Sequence, residues 1–304
     1  MDAPKIAVEP KSWRNDELVA AVEAGGGLVT DIAEAEGLIW TAPETPNLIA
    51  DFLANGNNLR WIQLPYAGIE PFLPYLDNEH IWTCGKGIYA RPVAEHALGL
   101  LLAGFRGLNS YVPASTWKQP QGRNLLDSHI TILGGGGITE ELLTLLAPWN
   151  CEITVVRRHA RPLAGTVVMT TQELPAALAR ADAVVLALAL TDETRGIIHS
   201  GTLGLMSDHA WLVNVARGEH VITDDLTAAL NQKVIAGAAL DVTDPEPLPD
   251  GHPLWEMENC IITPHIGNTP EMGIILLAER VKQNVARFAK GEELLGPVNV
   301  DLRY

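Results

Sequence analysis

Ile130-Thr131-Ile132-Leu133 runs directly into Gly134-Gly135-Gly136-Gly137-Ile138-Thr139, and Glu140-Glu141-Leu142-Leu143-Thr144-Leu145-Leu146 follows at helical spacing. A β-branched apolar run, a glycine cluster and a helix start are the pattern of the phosphate-cradling corner of a dinucleotide fold. Gly134 permits a sharp turn, and Gly136 permits close approach of the backbone to a pyrophosphate. The first helical turn then presents unpaired N–H groups and a positive dipole end to the anion. Gly134 and Gly136 fill the first two glycine positions of G-x-G-x-x-G, whereas Thr139 stands at the third. That third position serves helix–strand packing, so Thr139 implies slightly wider packing with the phosphate site kept. The plain alternative is a flexible turn between a strand and a helix.

The next strand, Ile153-Thr154-Val155-Val156, decides the cofactor. The residue just past it, about 20 positions beyond the first glycine, would be a carboxylate if it held the ribose 2′-OH of NAD. Here Arg157 and Arg158 occupy that place. Guanidinium groups attract a 2′-phosphate through charge-assisted bidentate bonds, which favours NADP over NAD. Otherwise the two arginines are a solvated loop.

Composition narrows the class. A chain of 304 residues, 47% hydrophobic and 19% charged, has the size of two globular domains with a sizeable core. A formal charge of −16 argues against nucleic acid and anionic membranes as partners, so an anionic substrate needs locally placed arginines. Cys84, Cys151 and Cys260 are too few and too scattered for a disulfide framework or a zinc site. Neither a signal-peptide pattern in Met1 to Pro10 nor a membrane-length apolar run is present, and the expected setting is a reducing cytoplasm.

Along the chain, apolar runs at strand spacing alternate with helical patterns. Lys5 to Val8, Gly37 to Trp40, Arg60 to Leu64 and His80 to Thr83 read as strands, with helices over Asp16 to Ala24 and Leu48 to Asn55. A long helix is expected from about Pro92 to Ser110, apolar nearly all round and therefore buried between layers. Beyond it, runs at Ile130, Ile153, Ala183 to Leu188, Trp211 to Val215, Ile235 to Leu240 and Cys260 to Thr263 give six strands of a doubly wound sheet. Helices are expected over Leu174 to Arg180, Thr202 to Met206, Thr223 to Asn231 and Pro270 to Lys290, the last crossing back to the first unit.

In open α/β sheets chemistry gathers outside the carboxyl ends of the strands. Arg217, Glu246 and His265 each lie just beyond such an end. Singly, each is an ordinary loop residue; their shared placement at one sheet edge makes them candidates.

Several stretches, in order, resemble the successive motifs of the D-isomer-specific 2-hydroxyacid dehydrogenases. They are Tyr66-Ala67-Gly68-Ile69-Glu70, Val93-Ala94-Glu95-His96-Ala97-Leu98, Thr191 to Ile198, Asn214-Val215-Ala216-Arg217-Gly218, Ala239-Leu240-Asp241-Val242 with Glu246-Pro247-Leu248-Pro249, Pro253-Leu254-Trp255, and Thr263-Pro264-His265-Ile266-Gly267. The resemblance implies two Rossmann-like or flavodoxin-like α/β domains with doubly wound parallel sheets and an active site in the cleft between them. Residues 1–98 plus 272–304 would form a discontinuous substrate domain, and residues 99–271 the dinucleotide-binding domain.

It implies that Arg217 grips the carboxylate and carbonyl oxygens of a 2-oxo acid. His265 donates the proton as hydride arrives, and Glu246 favours the protonated imidazole, as a neighbouring carboxylate does on general grounds. Tyr66, Ala67 and Gly68 join Arg217 in binding substrate. Gly134, Gly136, Gly137, Ile138, Arg157, Arg158, Leu188, Thr194, Val215, Ala216, Asp241 and His265 line the cofactor, NADP in preference to NAD. No metal is implied. A homodimer built through the Pro92 to Ser110 helix is the family expectation.

Departures from the family pattern are Thr139, Gly137 where a larger polar residue is common, and Tyr66 where a smaller one is. Tyr66 either reshapes the substrate pocket or packs between domains. Glu95-His96 reads as structural or as a support behind the site rather than as a second acid, and no added regulatory domain is expected beyond Tyr304. Reduction of glyoxylate or hydroxypyruvate with NADPH is the leading expectation. The alternatives are an NAD-linked dehydrogenase of a bulkier 2-hydroxy acid, and a nucleotide-gated corepressor-like binding protein of the same fold.

Overall fold

The structure is a computed structural model that describes residues 3–300. The expectation attached to Tyr304, and the outermost ends of the expected substrate domain, lie outside the described residues.

The chain separates into two compact units, one formed by the residues up to Tyr89 together with those from Thr269 onward, the other by Ala90–Asn268. In the first, β1 (Lys5–Glu9), α1 (Asn15–Ala24), β2 (Leu28–Val29), β3 (Gly37–Trp40), α2 (Ile49–Asn55), β4 (Trp61–Gln63) and β5 (Ile81–Thr83) alternate along the chain. The strands form one parallel sheet in the order β2-β1-β3-β4-β5. That is the flavodoxin-like order, with its switch point between β1 and β3. The two-residue β2 is absent from the sequence reading because two residues cannot show an alternation.

The second unit opens with α3 (Ala90–Phe105) and α4 (Leu108–Tyr111), then β6 (His129–Leu133), α5 (Gly137–Leu146), β7 (Glu152–Val156) and β8 (Val167–Met169). It continues with α6 (Leu174–Ala179), β9 (Ala183–Leu186), α7 (Ser200–Leu203), β10 (Trp211–Asn214), α8 (Thr223–Asn231), β11 (Gly237–Leu240) and β12 (Cys260–Ile262). Its sheet is parallel in the order β12-β11-β10-β9-β6-β7-β8, the doubly wound arrangement with β6 at the switch point. Seven strands replace the expected six. The addition is the edge strand β8, three residues that pair only with β7.

Helix α3 also departs from expectation. It ends at Phe105, because Gly107 takes a left-handed conformation (φ 63) before α4 begins. Ala90, Ala94, Ala97, Leu100, Leu101, Gly104 and Phe105 form its buried stripe, while Leu98 and Leu102 are only partly covered. One face is therefore packed rather than the whole circumference. The entire helix belongs to the second unit, whereas the sequence reading divided it at Leu98.

Both sheets are covered on both faces, as parallel sheets must be. In the second unit one layer centres on Leu133, Val184, Leu186, Leu212 and Ala238, the other on Ile130, Ile132, Val155, Val185 and Val213. In the first unit α9 (Pro270–Lys290) lies beside α1, and Ile274, Leu277, Val281 and Val285 complete a layer with Ile6, Val8 and Trp61. Among the described residues no helix is long and apolar enough to cross a membrane.

Candidate active site

Residues beyond the carboxyl ends of three adjacent strands, β10, β11 and β12, come together in the second unit. Beyond β12, Nδ1 of His265 lies 2.7 Å from Oε1 of Glu246, which follows β11. Both side chains are about half exposed (50% and 43%), so the pair is open to a ligand. The hydrogen bond to Glu246 raises the His265 pKa above its usual 6.5; burial opposes this, and the Glu246 charge adds to it. The same bond holds the Glu246 carboxyl below its usual value, against the effect of burial. Arg217, beyond β10, is close enough for its charge to lower both pKa values. With Nδ1 committed to Glu246, Nε2 is the nitrogen available for proton exchange with a substrate.

Arg217 is fixed by its own loop. Its Nη1 donates to the Ala216 carbonyl (2.7 Å), and the buried Asn214 amide donates to the Arg217 carbonyl (2.8 Å) while accepting from the Ala216 N–H (3.0 Å). Gly218 meets the loop leading to Glu246 so closely that a Cβ there would stand 2.0 Å from the Thr243 carbonyl. Only glycine permits that approach, which locks the Arg217 loop against the Glu246 loop. His220 adds a brace that the sequence reading missed. It is wholly buried, with Nδ1 3.0 Å from the Arg217 carbonyl and Nε2 3.3 Å from that of Ala189. Burial lowers its pKa.

His265 adopts a left-handed backbone conformation (φ 52), uncommon for a residue with a side chain. Asp241, 3% exposed, holds it there. Its carbonyl accepts from the His265 N–H (2.8 Å), Oδ1 from the Thr263 hydroxyl (2.6 Å) and the Ile266 N–H (2.9 Å), and Oδ2 from the Gly267 N–H (2.8 Å). Nε2 of His96, on α3, stands 3.2 Å from Oδ1 of Asp241 and 3.0 Å from the Thr263 hydroxyl. Burial pushes the Asp241 carboxyl upward, yet the bonds from His96, Thr263 and the two amides outweigh it and hold it at about 2. Asp241 thus supports the turn that carries His265, and His96 supports Asp241. A hub of this kind has no signature along the chain, since its partners lie on α3 and beyond β12.

The glycine turn fits a dinucleotide phosphate. Gly134 has φ 113, and a Cβ there would lie 2.2 Å from the Ala187 carbonyl, so glycine is required. At Gly136, the N-cap of α5, a Cβ would meet nothing within 4 Å, and no side chain caps the helix. Gly137 is exposed and Ile138 half-buried, and as first-turn residues of the helix their N–H groups have no intrahelical partner to compete with an anion. Thr139 is fully buried, and its hydroxyl donates to the Gly134 carbonyl (2.9 Å), which knits the turn to the helix.

The Arg157 side chain lies across the turn, its guanidinium carbon 2.8 Å from where a Gly135 Cβ would stand. Arg158 instead pairs with Glu193 at 2.9 Å on the surface. Leu188 is half-buried, the Thr194 hydroxyl donates to the Ala189 carbonyl (2.8 Å), and Val215 and Ala216 are buried behind Arg217. Tyr66, Ala67 and Gly68 belong to the first unit, in the loop after β4. Among the described residues no cluster of three or more His, Cys, Asp or Glu is placed to hold a metal ion.

Residues 98–267 match the family model described as "D-isomer specific 2-hydroxyacid dehydrogenase, NAD binding domain". The chain belongs to this family. It is an α/β oxidoreductase dependent on NAD(P). A human glyoxylate reductase/hydroxypyruvate reductase is 30% identical over 94% of this chain and 89% of its own length. A Corynebacterium melassecola protein, described as an uncharacterized protein in the proB 3′ region, is 40% identical over 99% of this chain and 100% of its own. The family member from Xanthobacter autotrophicus, solved with NADPH and MES, superposes with a TM-score of 0.85 at 26% identity, covering 100% of both chains.

Proposed function

We propose that this dehydrogenase reduces a small 2-oxo acid, glyoxylate or hydroxypyruvate, to its D-2-hydroxy acid, with NADPH preferred. The observation that carries the reading is the 2.7 Å bond between His265 and Glu246 beside the Arg217 charge. The α5 N-terminus, Gly134, Gly136, Gly137 and Ile138 would hold the pyrophosphate, and Arg157 and Arg158 the 2′-phosphate. When bound, the reduced nicotinamide supplies a hydride to the carbonyl carbon. Arg217 binds the substrate carboxylate and draws charge onto the carbonyl oxygen. Nε2 of His265 gives its proton to that oxygen, Glu246 having kept the imidazole charged until then, and solvent reprotonates the ring. Asp241 and His265, with Leu188, Thr194, Val215 and Ala216, would line the nicotinamide when the cofactor is bound. Tyr66, Ala67 and Gly68 join as substrate-binding residues.

Preference for NADP is supported by Arg157 lying across the glycine turn and by NADPH in the Xanthobacter relative. The test is a matrix of NADPH and NADH oxidation against a panel of 2-oxo acids. Turnover of glyoxylate and hydroxypyruvate, faster with NADPH, is expected. Absence of turnover with every acid sinks the reading in favour of nucleotide-gated binding. We further propose a homodimer formed through α3 and the segment after it, where Val112 and Trp117 are 80% and 100% exposed, checked by sedimentation velocity. The unpaired thiols Cys84, Cys151 and Cys260 fit a cytoplasmic setting.

A further inference from the structure

In the sheet of the second unit, β6 runs between β7 and β9, and its carboxyl end opens into the glycine turn. One ion pair joins the loops that leave those two flanking strands. Nη2 of Arg158, just beyond β7, lies 2.9 Å from Oε1 of Glu193, which stands beyond β9. Both residues belong to the second unit, as the glycine turn does.

The two partners are held differently. Glu193 stands on a turn that is closed on itself. The N–H groups of Thr194 and Arg195 donate to the Thr191 carbonyl (3.0 and 2.9 Å). The Thr194 hydroxyl accepts from the Thr191 N–H (2.8 Å) and donates to the Ala189 carbonyl (2.8 Å). Arg158 lies in the connection between β7 and β8, within the run Arg157-Arg158-His159-Ala160-Arg161. That run gathers three arginines in a chain whose formal charge is −16. Among the described residues, Arg158 alone of the three is matched by a carboxylate. The paired side chains are 59% and 68% exposed, so the pair is weak and a stronger anion can displace the carboxylate.

We propose that Glu193 is a cofactor-specificity residue, which occupies Arg158 in the free protein and yields it only to the 2′-phosphate of NADP. This rests on the reading of Arg157 and Arg158 as the 2′-phosphate residues and deepens it. A phosphate monoester carries nearly twice the charge of a carboxylate and offers three acceptor oxygens to the guanidinium fork, so it wins the exchange. The neutral ribose 2′-OH of NAD cannot displace a carboxylate, and with NAD the pair stays closed. Once displaced, Glu193 is left as a negative charge near the phosphate. The carboxylate therefore subtracts from NADP affinity twice, through the pair that must break and through repulsion, and leaves NAD affinity as it is.

The experiment is calorimetric titration of 2′,5′-ADP and of 5′-AMP into the full chain, Glu193→Gln, Arg158→Gln and the double variant. Both side chains are exposed, so these substitutions leave the fold intact. Glu193→Gln is expected to bind 2′,5′-ADP about three-fold or more tighter, with 5′-AMP unchanged and the gain shrinking as salt is raised. In the Arg158→Gln background most of that gain should vanish, because the pair is then already broken. Unchanged 2′,5′-ADP affinity in Glu193→Gln overturns the inference alone. So does equal tightening of both ligands, which would make Glu193 a general barrier to anions. A wild type that binds 2′,5′-ADP no more tightly than 5′-AMP overturns the NADP preference itself, and the inference falls with it.

Discussion

With Nδ1 of His265 2.7 Å from Glu246, the imidazolium is favoured beyond the pH at which a free histidine would lose its proton. The folded pKa is raised, so the charged form is complete below the ordinary value of 6.5 and is lost as pH rises through the higher folded value. Reduction needs that proton, so the reductive rate should fall on the alkaline side and the oxidative rate should climb there. In Glu246→Gln the hydrogen bond to a charged partner is gone, while Arg217 still lowers the pKa. The alkaline limb of the reductive profile should move to lower pH, with kcat down roughly 100-fold or more at neutral pH. A limb that stays in place would show that Glu246 does not set the His265 pKa. Under the proposed NADP preference, Arg157 is the residue expected to decide cofactor choice, because Arg158 already has Glu193 as a partner. Arg157→Asp should exchange a 2′-phosphate donor for a ribose acceptor and shift the NADPH-to-NADH ratio of kcat/KM by at least about ten-fold towards NADH. An unmoved ratio would place the 2′-phosphate elsewhere.

The turn from Thr263 to Gly267 shows what a single element contributes. The N–H groups of His265, Ile266 and Gly267 and the Thr263 hydroxyl all point at Asp241, and this convergence holds His265 in a left-handed conformation that costs roughly 1–3 kcal/mol. His96 closes the set from α3. His96→Leu should loosen the turn and lower the reductive kcat by about ten-fold to a hundred-fold with little change in melting temperature. His96→Gln, which keeps an N–H donor, should recover much of the loss; equal damage in both variants would reduce His96 to a packing residue. Sequence made some of this legible. Strand–glycine–helix punctuation located the β6–α5 turn, because glycine conformational demands are local. The expected contact between Glu246 and His265 is present. The supporting role read for His96 came without its partners, and those of Asp241 and His220 could not be read, because burial and partners from distant segments define them. The strands β2 and β8 escaped for a simpler reason: pieces this short, paired on one side, carry no measurable period.

At the scale of the whole molecule, the first unit is assembled from both ends of the chain. Its sheet is incomplete as a packed layer until α9 supplies Ile274, Leu277, Val281 and Val285, so its core cannot close on the N-terminal segment alone. An amphipathic pattern from Pro270 to Lys290 announces a helix, but an amide in its buried stripe does not announce its partner. Asn284 is fully buried, and its Nδ2 donates to Gln63 Oε1 on β4 (3.0 Å) and to the Leu295 carbonyl (3.0 Å), while its Oδ1 accepts from the Leu295 N–H (2.8 Å). Gln63 in turn accepts from Thr83 on β5 (2.8 Å), which accepts from the Trp61 indole (2.8 Å). One side chain thus joins the late helix to the middle of the early sheet. Asn284→Ala should cost roughly 1–3 kcal/mol for each buried group left unpaired, seen as a lower denaturant midpoint. Asn284→Asp should cost more, since a carboxylate cannot donate to Gln63 and must be buried near its oxygen. If Asn284→Asp proved no worse than Asn284→Ala, the amide would be acting as filler, and α9 would be held by its apolar stripe alone.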